Sequence, residues 1–530
     1  SSFSHLLSSL FFFSFPFSFF FSFSFFLFLP FLFFPPPPSF FPKTFVFERC
    51  GSGVSEKSYA CFLEDVKRVK GYLSKQFGNI HAAVIGPSSY SWLVSWFGTV
   101  CGGSTAVPLD ANLPADEIAE LLNRADVSVF FFDKKYEKII PQLRESCPEV
   151  KEYISFSDTL PKILAETGPA ALDNVPPDTL AAISYTSGTT GRSKGVMLRH
   201  SNFIDNAMCQ DNESSTEDVI MSVLPIHHIY CFTCDILCSL RYGAELCFND
   251  SMLHIGQNLK LYKPTLILLV PMIAETIYKQ IKAAVQANPA LTEKMVAAVT
   301  FGGRLKTIFS GGAYLRPELQ RAYMDMGFNM AQGYGMTECS PRISTADIND
   351  KECAGDVGKI VNGAQVRIED GEILVKSLSV MAGYYKDEAA TAEALTPDGW
   401  LRTGDLGYVD EKNRIFITGR KKNLIILSNG ENVSPEELEN KFAGLDYISE
   451  ILVYSEDSVI TAEIYPNQDY IKAHSAEDVE QQFKADTARI NKSVISSKTI
   501  RRLRIRDTEF DKTASKKIKR SQSSCGKIIK

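Results

Sequence analysis

Apolar positions recur every three to four residues over 57–77, where Phe62, Val66, Val69 and Leu73 share one face, and this spacing predicts a helix. PADEIAELLNRAD (114–126) predicts another. Between and after them, the short apolar runs HAAVIG (81–86), STAVPLD (104–110) and VSVFFFD (127–133) read as buried strands. The alternation resumes with the strand LAAISY (180–185), with TLILLVP (265–271) and a helix after it, and with LKTIFSGG (305–312). RPELQRAYMDMG (316–327) then predicts a helix and FNMAQGYG (328–335) a strand. Strands alternating with helices imply an α/β fold of mainly parallel sheets covered by helices. In such sheets ligands collect beyond the carboxyl ends of the strands, where the glycine-rich turns of this chain fall. Further on, EILVYS (450–455) and SVITAEIYP (458–466) read as strands and 475–495 as a helix, enough for a small α+β domain.

The first 42 residues break this pattern. They are almost wholly Phe, Ser, Leu and Pro, contain no Lys or Arg, and show neither helical nor strand periodicity. A signal peptide would want a cationic start, and repeated Ser and Pro weaken a spanning helix. All four residue types have pyrimidine-rich codons, and no Met precedes Met197. The tract therefore reads as a translated pyrimidine-rich stretch outside the fold. The expected organisation is a large N-terminal domain over 43–420 and a small C-terminal domain over 421–530.

At 530 residues the chain can bury a large core, and a net charge of −6 argues against a dedicated nucleic-acid binder. The charge is uneven: 501–530 carry eleven Lys/Arg against three Asp/Glu, a net +8 that leaves −14 on the remainder. Twelve irregularly spaced cysteines suit reduced thiols in a cytoplasmic protein. Cys231, Cys234 and Cys238 lie near His227, His228 and His254, but no second pair at matching spacing supports zinc, so buried thiols on a helix are the expectation.

YTSGTTGRSKG (185–195) packs three glycines, five Ser/Thr hydroxyls and two cations into eleven positions. Glycines let backbone amides approach a ligand, hydroxyls donate from several directions, and Lys194 adds a point charge, a set suited to a polyphosphate. Lying between LAAISY and VMLRHSNFIDNA, it reads as a turn from strand to helix. It is not a Walker loop, since Lys194 follows Ser193 and precedes Gly195.

This stretch resembles the signature of the adenylate-forming (AMP-binding) superfamily, which includes acyl-CoA synthetases, adenylation domains of peptide synthetases and luciferases. LPIHHIY (224–230), FSGGAYL (309–315), QGYGMTECSP (332–341), GEILVKSLSVMAGYYKDEAAT (371–391), GWLRTGDLGYVD (399–410) and GRKKNLIILSNGENVSPEELE (419–439) resemble its other motifs, in the family's order. The likeness runs from about 57 to 520, and long-chain fatty acid–CoA ligases are the branch most resembled.

The resemblance implies two steps: a carboxylate attacks the α-phosphate of ATP, releasing pyrophosphate, and a thiol, usually that of CoA, then takes the acyl group. Thr186, Ser187, Gly188, Thr189, Thr190 and Lys194 would hold the β- and γ-phosphates. Glu338 would bind Mg2+, Thr337 would reach the α-phosphate, and Tyr334 would lie on the adenine. Gly311, Gly312 and Ala313 would leave room for the base. Asp405 and Arg420 would bind the ribose, and His228 would close the acyl pocket. The C-terminal domain would swing about a hinge at Lys422 to serve each step in turn.

DKTASKKIKR (511–520) resembles the terminal motif, whose Lys enters the site during adenylation. By alignment that residue is Lys517. The family's Pro and Gly are here Asp511 and Lys516, so Lys516 competes for the role. The resemblance implies a folded front segment ahead of the helix near 57, and the Phe/Ser tract is expected to replace it. The expected function is an ATP-dependent carboxylate–CoA ligase for a long-chain fatty acid, with ATP, Mg2+ and CoA as cofactors and co-substrate. A ligase for aryl acids or for a carrier protein, and an inactive remnant, stay open as alternatives. A small carboxylic acid and CoA are the expected partners; membrane contact is not required.

Overall fold

The computed structural model describes residues 42–51, 53–186, 193–210, 214–348, 355–427, 432–457, 459–512, 518–520 and 526–529. Two large sheets form the N-terminal part. One has nine strands, with a parallel run in the order Asn329–Gly335, Thr307–Ser310, Leu266–Leu269, Val219–Ser222, Glu245–Phe248 and Thr44–Cys50. Antiparallel strands close each edge. The other has seven strands, with a parallel interior and an antiparallel edge at Lys194–Arg199 and Gly383–Tyr384. The alternation of short apolar strands with helices is thus realised as the mainly parallel, helix-covered arrangement it implied.

Aromatic side chains pack helices and sheets together. Helix Tyr59–Gln76, capped by Ser58, buries Phe62, Val66, Val69 and Leu73, the stripe whose spacing predicted it. Helix Tyr90–Val100 buries Trp92 and Trp96 wholly, and Trp96 meets Phe232 with ring centroids 4.2 Å apart. Truncating either Trp would cost about 3–5 kcal/mol.

A four-stranded antiparallel sheet, Gln365–Glu369, Glu372–Lys376, Leu401–Val409 and Ile415–Arg420, follows. The C-terminal part has its own four-stranded sheet, the helix Ala476–Asn491 and a separate core containing Phe442, Tyr447, Ile464 and Phe483. Its basic end is matched locally: Arg502 and Arg504 pair with Glu456 at 2.7 and 2.8 Å, and Arg520 pairs with Glu439 at 2.5 Å. These pairs account for part of the charge excess without any polyanionic partner.

Ahead of the predicted helix but within the expected N-terminal domain, Thr44–Cys50 and Gly53–Ser58 form a hairpin, and its first strand pairs in parallel with Glu245–Phe248. Phe45 and Val46 are fully buried there, so apolar side chains hold the hairpin although its sequence is too short to show a period. One expectation needs correction: the stretch 185–195 does not lead from a strand into a helix. It joins the antiparallel strands Leu180–Thr186 and Lys194–Arg199, and the helix His200–Met208 begins only afterwards. VMLR is a strand whose Val196 and Leu198 are buried, a run too short for periodicity to distinguish from a helix start.

Among the described residues no helix is long and apolar enough to cross a membrane. Cys231 is buried and its thiol donates to the Leu224 carbonyl, while His254 pairs with Asp250 at 2.7 Å. Among the described residues no three His, Cys, Asp or Glu side chains gather as a ligand set.

Candidate active site

Two of the phosphate-loop candidates, Thr186 and Lys194, lie at the ends of the paired strands just described and face each other in register. Ser187, Gly188, Thr189 and Thr190 lie outside the described residues. The hairpin is anchored on two sides: Arg124, at the end of helix Ala115–Arg124, donates to the Ser193 carbonyl at 2.8 Å, and the Tyr385 N–H donates to the Gly195 carbonyl at 2.7 Å. The Lys194 ammonium lies 4.9 Å from the centre of the Tyr384 ring.

Glu338 and Thr337 occupy a short 3-10 turn, Thr337–Cys339, directly after strand Asn329–Gly335. The turn is stitched to three neighbouring segments. Asn206 donates to the Cys339 carbonyl, Thr233 to the Ser340 carbonyl, and the Met381 N–H to the Glu338 carbonyl. The buried Glu338 carboxylate accepts from the Tyr384 hydroxyl at 2.8 Å. Burial and this carboxylate push the Tyr384 phenol far above its ordinary value, so it remains a donor. The Glu338 carboxylate, held by the Tyr384 hydroxyl, is a hard oxygen donor. One such carboxylate suits a Mg2+ ion that keeps most of its waters and arrives with nucleotide phosphates.

Tyr334 lies at the carboxyl end of the same strand, and its hydroxyl donates to Asp405 at 2.7 Å. Asp405 is paired in register with Arg420 on the adjacent strand, and the guanidinium meets its other carboxylate oxygen at 2.6 Å. Burial and the adjacent Asp405 raise the Tyr334 phenol well above its usual range. Gly335, the last residue of this strand, lets the backbone pass Pro341, because a Cβ there would fall 2.0 Å from the Pro341 carbonyl oxygen.

An open pocket begins beside these groups. His228, Gly311, Gly312, Tyr334 and Thr337 line it, and Ile220, Leu266, Leu268 and Phe309 supply apolar wall. Gly311 is packed against Tyr230, whose ring would be 3.1 Å from an added Cβ, and Gly312 adopts φ +79°. Ala313 does not line this pocket and is exposed. His228 heads a helical turn and accepts from the Tyr230 N–H at 3.2 Å.

Lys422 lies in the exposed 3-10 turn Lys421–Asn423 immediately after Arg420. Its neighbour Lys421 pairs with buried Glu372 at 2.8 Å. Lys516 and Lys517 lie outside the described residues. The structure thus brings Lys194, Glu338, Thr337, Tyr334, Asp405, Arg420, His228 and the two glycines to one region. It adds Arg124 and Tyr384, which sequence reasoning missed. A lone Arg at a helix end and a Tyr in a polar stretch carry no signal until tertiary contacts appear.

Residues 42–385 match the AMP-binding enzyme family, and 422–525 match the AMP-binding enzyme C-terminal domain. The long-chain-fatty-acid–CoA ligase FadD15 of Mycobacterium tuberculosis is 28% identical over 425 residues, 70% of each chain. The 4-coumarate–CoA ligase 1 of Arabidopsis thaliana is 29% identical over 404 residues, 69% of this chain and 70% of that one. Among solved structures, ATP-bound MatB from Rhodopseudomonas palustris has a TM-score of 0.78 at 23% identity, covering 93% of this chain and 97% of its own. The Mycobacterium tuberculosis fatty acyl CoA synthetase has a TM-score of 0.66 at 21% identity, covering 90% and 93%. These structures share the fold, and the family match extends over most of the chain. The chain therefore belongs to the AMP-binding enzymes and is an AMP-forming acid–thiol ligase.

Proposed function

We propose that this chain activates a long-chain fatty acid as its acyl-adenylate and passes the acyl group to CoA. The observation that carries the reading is the single pocket in which polar groups suited to a nucleotide, around Tyr334 and Thr337, continue into apolar wall from Ile220, Leu266, Leu268 and Phe309. A carboxylate held at that junction has its oxygen beside the nucleotide and its chain against hydrocarbon.

In the first step the substrate carboxylate oxygen forms a bond to the α-phosphorus of ATP, and the bond to pyrophosphate breaks. The protein chiefly positions charge in such a transfer. Lys194, with Thr186, Ser187, Gly188, Thr189 and Thr190, holds the departing phosphates, and Thr337 meets the α-phosphate. Glu338 holds Mg2+, which neutralises phosphate charge when bound. Tyr334 lies against the base beside Gly311 and Gly312; Ala313 belongs at the rim. Asp405 and Arg420 bind the ribose, and His228 borders the acyl group. Lys517, or Lys516 in its stead, meets the α-phosphate and carboxylate oxygens. In the second step the CoA sulfur bonds to the acyl carbon and AMP leaves. Rotation about Lys422 separates the steps, with 43–420 and 421–530 as the two moving parts.

An aryl acid is the second reading, favoured by the likeness to 4-coumarate–CoA ligase 1 at 29% identity. Two relatives from Arabidopsis thaliana are named as peroxisomal, so cytoplasmic residence belongs to the proposal as well. Thioester formation with CoA, assayed across fatty and aryl acids, tests the reading. Adenylate formed without transfer to CoA would favour a carrier-protein acceptor.

A further inference from the structure

Lys194 and Glu338 carry opposite charges and approach the same part of the site from different sheets, and one aromatic side chain touches both. The Tyr384 ring lies under the Lys194 ammonium at 4.9 Å, while its hydroxyl donates to Glu338 Oε1 at 2.8 Å. The ring is buried and its backbone is fixed. Tyr384 pairs in register with Val196, its N–H donates to the Thr391 hydroxyl at 2.8 Å, and its carbonyl accepts from the Asp387 N–H. Its main chain is therefore held in place beside both partners.

A flexible ammonium and a carboxylate left facing each other at a partly buried site attract strongly, and a direct ion pair would remove both from ligand binding. We infer that Tyr384 is a positioning residue that holds the phosphate-binding lysine and the magnesium-binding carboxylate apart and aims each at its own ligand. This rests on the roles proposed above for Lys194 and Glu338. The ring face takes the cation through its quadrupole, and the hydroxyl fixes one carboxylate oxygen. The two functions are chemically separable.

Two variants of the full chain separate them. Tyr384→Phe keeps the ring and removes the hydroxyl; Tyr384→Leu removes both. ATP-dependent Mn2+ binding, followed by the electron paramagnetic resonance signal of free Mn2+, is measured beside metal-free ATP binding and the thermal midpoint. Tyr384→Phe should weaken Mn2+ binding about tenfold and leave metal-free ATP binding unchanged. Tyr384→Leu should weaken both, ATP binding by roughly fivefold. The Mg2+ concentration for half-maximal pyrophosphate exchange should rise in parallel while KM for the acid stays fixed.

Unchanged Mn2+ binding in a folded Tyr384→Phe protein overturns the inference, whatever Tyr384→Leu does. A parent chain that exchanges pyrophosphate while this variant behaves identically sinks the inference alone. A folded parent that binds no Mn2+ with ATP sinks it together with the roles on which it rests.

Discussion

Tyr334 and Asp405 belong to different sheets, yet the Tyr334 hydroxyl donates to the Asp405 carboxylate at 2.7 Å. Arg420 holds the other carboxylate oxygen at 2.6 Å. The contact joins the nine-stranded sheet to the antiparallel strand pair Leu401–Val409 and Ile415–Arg420, so a nucleotide seated there would touch both sheets at once. Asp405→Asn keeps an acceptor for Tyr334 but loses the charge facing Arg420. It should raise KM for ATP by about tenfold or more, with KM for the acid unchanged, as steady-state kinetics would show.

Arg124 reaches the hairpin of the proposed phosphate loop from a separate helix through the Ser193 carbonyl. Arg124→Ala removes a charge-assisted anchor worth about 1.5–3 kcal/mol at most. Pyrophosphate exchange should slow several-fold through weaker ATP binding, and the thermal midpoint should move little. A large fall in the midpoint with unchanged ATP affinity would assign Arg124 to the fold instead.

Gly335 allows the backbone of strand Asn329–Gly335 to pass Pro341, with 2.0 Å between the carbonyl oxygen and the place of a Cβ. Gly335→Ala should displace the turn that carries Glu338 and cost about 1–3 kcal/mol or more. Urea denaturation should show the lower stability, and exchange should fall with it.

Leu266 and Ile220 form part of the apolar wall of the pocket. Leu266→Trp should shorten the acids accepted, since each methylene denied burial costs ~0.8 kcal/mol. The ratio of kcat/KM for long over short acids should drop while KM for ATP holds.

Asp235 is fully buried, one of its oxygens has no hydrogen-bond partner, and burial pushes its carboxyl up from the ordinary 3.8 to about 7. Between these values the unfolded chain has lost this proton and the folded chain keeps it, so the group lowers stability as pH rises from about 4 to about 7. His200, lowered by burial from 6.5 to about 4, acts in the opposite direction over part of that window. Asp235→Asn isolates the first effect. The variant should match the parent near pH 4 and exceed it in unfolding free energy above pH 7.

Much of this architecture was legible because parallel strands buried on both faces are nearly continuous apolar runs, as Val129–Phe132 is within VSVFFFD. The helix carrying Phe62 and Val66 was legible because one face is buried and the other is wet. VMLR was misread because a four-residue apolar run satisfies either period, and only pairing with Leu180–Thr186 decides it. The hairpin before residue 58 was obscured by the Phe-rich tract that runs into it. Most of the site could be named through ordered motifs, but Tyr384 and Arg124 act by contacts with residues 46 and 69 positions away. Ala313, in contrast, belongs to a motif but not to the pocket wall.

The most direct test of the central claim is ATP–pyrophosphate exchange by the full chain with acids from acetate to palmitate and with benzoates, using Lys517→Ala as control. Exchange confined to long-chain acids and abolished by Lys517→Ala is the predicted result. Exchange driven by benzoates alone, or no exchange with any acid in a folded protein, would contradict it.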